Sequence, residues 1–182
     1  MNAVNNILVD LADLGLDLTN HTALLMLPLI QVAWADGKVD RGERFAIRAF
    51  AVNNRLVDEP GLAMVEHWMN ERPSDAYIHR GMELLVRLGW ERQPFSAGLS
   101  IDRIEQAVDY CEVVGRTTKN VLTGNIPRAD REAIEAVEVE VARLHATHGP
   151  QDGAVGYPIT EDWIELLEDL RAATTHDRLR AS

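Results

Sequence analysis

A single cysteine, Cys111, stands in this 182-residue sequence, so the chain can hold no internal disulfide and no cysteine-built zinc framework. In its helical-looking setting, VDYCEVV, Cys111 reads as a small buried thiol, since no neighbouring base marks it as a nucleophile. Aromatic residues are scarce at 5%, and Pro and Gly mostly fall between the periodic segments. Bases are also short. Lys and Arg number 18 against 29 Asp and Glu, a net charge of −11. Such a surface repels phosphate backbones, which argues against nucleic acid as a partner while leaving room for a local basic patch. The same field attracts cations and basic protein surfaces.

Long hydrophobic runs are absent too. The most apolar stretch, Ala23 to Ala35, is 13 residues interrupted by Pro28 and Gln31, short of the ~20 needed to span a bilayer. It reads as a buried core helix. The opening MNAVNNILVDLADLGLD has no basic n-region and carries acids, unlike a secretory signal, so the cytoplasm is the expected location.

What remains is periodic. Apolar residues recur at three- and four-residue spacing, with little strand-like alternation, and 46% hydrophobic content is ample for a core. The spacing predicts an all-α fold of about eight helices. The first runs from Val4 to Leu14. Cap chemistry places further starts at Asn20, at Asp40 (to about Asn54), at Asp58 with Pro60, at Ser74, and at Ser100 (to about Leu122). The last two begin with Pro127 in a first helical turn and with Thr160. A helical domain over 1–148, a Gly/Pro-rich linker over 149–159 and a C-terminal helix with a frayed tail over 160–182 follow from this pattern.

Two segments resemble one another. Asp36–Ile47 (DGKVDRGERFAI) and Thr123–Ile134 (TGNIPRADREAI) match at Gly37/Gly124, Arg41/Arg128, Arg44/Arg131, Ala46/Ala133 and Ile47/Ile134, with Glu43 opposite Asp130. The match suggests two pseudo-symmetric helix–turn–helix halves, with one motif over 24–56 and a degenerate copy near 119–144. The first copy keeps its acids. Thr123 and Pro127 replace Asp36 and Asp40, which makes the second copy read as structural.

In the first copy, Gly37 suits the left-handed residue past a helix end, Asp40 caps the next helix, and Glu43 sits where a reciprocal capping box needs it. Asp36, Asp40 and Glu43 therefore gather around one turn beside unpaired helix-end carbonyls. Hard divalent cations, calcium or magnesium before zinc, favour such oxygens, whereas the positive end of the second helix opposes them. The same acids can equally be no more than a helix cap. An EF-hand does not fit, because Val32 and Trp34 stand where acidic ligands are required.

With its flanks, LLMLPLIQVAWADGKVDRGERFAIRAFAVNNRL resembles the signature of the TerB-like tellurite-resistance family: an apolar helix ending Ala-x-Ala-Asp-Gly, an aliphatic, an acid, then Glu-Arg opening a second helix. Ala33, Ala35, Asp36, Gly37, Val39, Asp40, Glu43 and Arg44 carry the resemblance, which covers Leu24 to Leu56. It implies two packed helical bundles, an acidic metal-binding surface, and a bacterial stress role exercised through protein partners near the inner membrane. No His-Pro-Asp motif of a J-domain is present.

Other signals favour bland readings. His145 and His148 are spaced to share a helix face, but no third ligand is near in sequence, and both suit a helix C-terminus. No histidine follows a glutamate by three residues, which rules out a di-iron bundle motif, and no P-loop, dinucleotide fingerprint or nucleophile elbow occurs. Glu105, Asp109 and Glu112, and the acids from Glu161 to Asp169, read as solvated faces. Three functions remain: a non-catalytic TerB-like protein with a cation- or partner-binding turn, a metal-independent acidic scaffold for a basic partner, and, last, a carboxylate enzyme.

Overall fold

The computed structural model describes residues 3–91, 98–117 and 125–149. Seven α-helices and one 3₁₀ helix account for most of them, and no strand occurs among the described residues. The order is α1 (Ala3–Asp13), a 3₁₀ helix (His21–Met26), α2 (Leu27–Ala33), α3 (Arg41–Asn53), α4 (Glu59–Asn70), α5 (Asp75–Glu91), α6 (Ile101–Arg116) and α7 (Arg128–His148). The fold is all-α, as the periodicity predicts. The chain divides into two units, Met1–Asp152 and Gly153–Ser182. The expected linker, the Thr160 helix and the acids of Glu161–Asp169 lie outside the described residues, apart from Gly149.

The apolar run is the centre of the first unit. From Ala23 to Ala33 every residue except Gln31 is buried, and α2 packs against α3, α5, α6 and α7. The run is not one α-helix, however. Pro28 has no N–H to donate to the Leu24 carbonyl, which accepts instead from Leu27 N–H in the tighter 3₁₀ pattern. Proline then stands in the first turn of α2, where its missing donor costs nothing.

Caps at the other starts vary. Asp40 and Asp58 bind the backbone of α3 and α4, and Ser74 Oγ accepts from Tyr77 N–H at 3.1 Å. Asn20 and Ser100 hold cap positions without a side-chain cap bond. The Asn20 amide turns back to accept from Asp17 N–H at 2.8 Å. Helix α6 ends at Arg116 rather than near Leu122. There the Thr117 hydroxyl and N–H both take the Val114 carbonyl, closing the last turn tightly.

One contiguous core joins the described helices, drawing Ile7 and Leu11 from α1, Ile47 and Phe50 from α3, Leu85 from α5, Ile104 and Cys111 from α6, and Val137 and Leu144 from α7. Because Leu29 is fully buried at its centre, Leu29→Ala should lower the unfolding free energy by about 2–5 kcal/mol. Urea unfolding measures this, and a loss below about 1 kcal/mol would contradict a central place for α2.

Candidate functional site

The turn between α2 and α3 carries the three predicted acids, and each is held by local backbone chemistry. Trp34 N–H closes α2 on the Ile30 carbonyl at 3.1 Å, and Gly37 takes a positive φ of 91°. That conformation favours glycine, so the Asp-Gly pair reverses the chain without strain. Asp36 is exposed, and its Oδ1 accepts from Lys38 N–H at 3.2 Å. Asp40 Oδ1 accepts from Gly42 N–H at 2.7 Å and from Glu43 N–H at 3.0 Å. Glu43 Oε2 accepts in return from Asp40 N–H at 2.8 Å, completing the reciprocal capping box.

Glu43 is the unusual member. A capping-box glutamate normally lies at the surface, yet this one is 1% exposed. The end of α6 covers this side of the turn, and Gly42 makes the approach possible. A Cβ there would sit 2.9 Å from the Thr117 carbonyl oxygen, a backbone atom with little room to yield. Burial raises the Glu43 carboxyl from the ordinary value of 4.5 to about 8. The hydrogen bond from Asp40 N–H opposes the shift, and the charges of Asp40, Asp130 and Asp36 add to it.

Asp130 is the residue the sequence reading passed over. It is 1% exposed and holds the third position of α7, the place Glu43 holds in α3. The starts of α3 and α7 both lie against the end of α6, Gly42 facing the Thr117 carbonyl and Asp130 facing Gly115, and each contributes a buried acid. The signal was present in the match between the two segments, which sets Glu43 opposite Asp130. Thr123 lies outside the described residues.

Two further motif residues fasten the turn to α4. The Trp34 indole N–H donates to the Trp68 carbonyl at 2.8 Å, and the Arg44 guanidinium donates to the Met69 carbonyl at 2.9 Å and to Asn70 Oδ1 at 3.0 Å. Both occupy carbonyls that the end of α4 leaves without helical partners. Trp34 and Arg44 are therefore docking residues.

The three predicted ligands share one turn, with their oxygens partly committed to backbone N–H groups. Among the described residues, no three His, Cys, Asp or Glu side chains are grouped closely enough to ligate one ion. His145 and His148 do not act together either. His145 Nδ1 accepts from the Trp90 indole N–H at 3.1 Å, while His148 Nε2 lies 3.6 Å from Glu83. Cys111 is fully buried, and burial pushes its thiol pKa up, away from nucleophilic use. Glu105, Asp109 and Glu112 are exposed along α6. No helix among the described residues is long and apolar enough to cross a membrane.

No family model matches this chain, and no curated protein or solved structure shows significant similarity to it. The TerB-like resemblance therefore rests on the motif residues alone.

A raised carboxyl pKa makes stability depend on pH with a definite sign. The folded chain holds the Glu43 proton more tightly than the unfolded chain, so this contribution is complete below about pH 4.5 and is lost as pH rises towards 8. The slope reaches at most about 1.4 kcal/mol per pH unit. Glu43→Gln keeps the acceptor for Asp40 N–H and removes the charge. The variant should match the parent near pH 4.5 and exceed it in stability by pH 8 to 9. Parallel curves for the two proteins would refute the shift.

Proposed function

We propose that the chain is a non-catalytic TerB-like stress-response protein that acts by binding, and that the turn carrying Asp36, Asp40 and Glu43 receives positive charge, as a divalent cation or a basic group of a protein partner. One observation supports this above the others: the buried acid Glu43 feels the negative charges of Asp40, Asp130 and Asp36, in a chain of net charge −11. Ionising Glu43 among these acids is costly, and a cation bound in place of its proton lowers that cost. Calcium and magnesium, which take oxygen ligands, suit these groups better than zinc. A cation there would also need backbone carbonyls or water, because Asp40 and Glu43 each commit an oxygen to the capping box. The proposed setting is the cytoplasm, with a protein partner that itself sits at the membrane, and without nucleic acid.

A second reading treats the chain as a metal-independent acidic scaffold for a basic partner. The complete capping box favours it, because that box already gives Asp40 and Glu43 a purpose within the fold.

Trp34, two residues from Asp36 and bonded to α4, is a natural reporter for the turn. Its fluorescence and the melting temperature should be followed after chelation and then on titration with calcium, magnesium, manganese and zinc. A saturable response with a rise in melting temperature, lost in Asp36→Asn/Asp40→Asn, is expected for a cation site. Asparagine still caps a helix, so the double variant should remain folded. A flat titration in the parent, with salt-sensitive capture of a basic partner, would establish the scaffold instead.

A further inference from the structure

Two surfaces outside the acidic turn complement one another. The first is a stripe on the outer face of α3. Arg41, Phe45, Arg48 and Val52 follow one another at spacings of four, three and four, which puts them on one side of the helix, and all four are exposed. Phe45 is 76% exposed, the most of any large hydrophobic residue among those described. Glu66 pairs with Arg48 at 2.6 Å and offsets part of its charge. An exposed phenylalanine between two arginines is a basic, apolar ridge on a chain that is otherwise acidic.

The second surface is a groove of about 310 Å³ between α6 and α7. Its floor is apolar, with Val108 and Val141, and its rim is acidic, with Glu105, Asp109 and Glu138 all exposed. That volume is at the lower end of the range of small-molecule sites (~300–1,000 Å³) and suits one large side chain with its flanks. Because the groove is already rimmed by acids, its occupant should be apolar at the tip and basic at the sides. Phe45 with Arg41 and Arg48 answers that description.

We propose that the chain associates with a second copy of itself, the Phe45 ridge of one molecule entering the acidic α6–α7 groove of another. The two faces differ, so the contact is heterologous: it closes if the partner's ridge can return to the first molecule's groove, and otherwise extends into a chain of copies. Phe45 supplies the desolvated anchor and the arginine–carboxylate rim sets the register, while salt screens the repulsion between two copies that each carry a net charge of −11.

Sedimentation velocity of the full chain at roughly 0.15 M salt, where the mutual repulsion is screened, tests this, with the 20.3 kDa monomer as reference. The average mass should rise with protein concentration. Phe45→Ser should weaken association by roughly tenfold or more while circular dichroism stays unchanged. Complementation is the sharper test. A Phe45→Glu copy keeps only the groove, and a Glu105→Arg/Glu138→Arg copy keeps only the ridge. Each alone should be monomeric, and their mixture should form a one-to-one complex. A monomer at every concentration under these conditions would overturn the proposal, leaving the ridge to a foreign acidic protein and the groove to a basic one. Association that survives both variants unchanged would overturn it as well.

Discussion

The first unit is organised around one buried carboxyl group. Glu43 satisfies the backbone N–H of Asp40 at the start of α3, and it does so under the end of α6 instead of in water. A carboxylate there would be costly, since burial and three neighbouring acids all disfavour the charge. Held as the neutral acid, it stays compatible with the hydrogen bond it accepts and with Asp130 nearby. The close seating of α6 against α3, the small residue at Gly42 and the meeting of two helix starts are parts of one arrangement. Disturbing the carboxyl group should be felt in all of them.

That arrangement gives the motif residues distinct duties. Gly37 turns the chain, Asp40 and Glu43 cap α3, and Trp34 and Arg44 occupy the carbonyls at the end of α4. Asp36 alone is free of such structural work beyond its bond from Lys38 N–H, and it is the acid most open to solvent. Cation binding at this turn would have to compete with the proton that Glu43 holds, so its strength would depend on pH.

Local chemistry was legible in the sequence where it is self-contained. The Asp40–Glu43 box, the Asp58 cap and the amphipathic helices need only neighbours a few residues away, and among the described residues each is present, though α6 ends earlier than its pattern predicts. Tertiary effects were not. Asn20 and Ser100 carry the right side chains for capping and do not use them for that purpose, and the Asn20 amide accepts from Asp17 N–H instead. Pro28 was visible as a break in the apolar run, but the 3₁₀ turn it imposes reads from sequence as continuous helix. The burial of Asp130 depends on how α7 meets α3 and α6, which no periodicity encodes. Its pairing with Glu43 in the two similar segments was the only hint.

The most direct test is a carbon-detected NMR titration of the Glu43 side-chain carboxyl in the intact chain. A midpoint near pH 8, moving down in Asp130→Asn, is the predicted result. A midpoint close to the ordinary 4.5, unchanged by that substitution, would contradict a buried, proton-holding carboxyl at the meeting of the two helices.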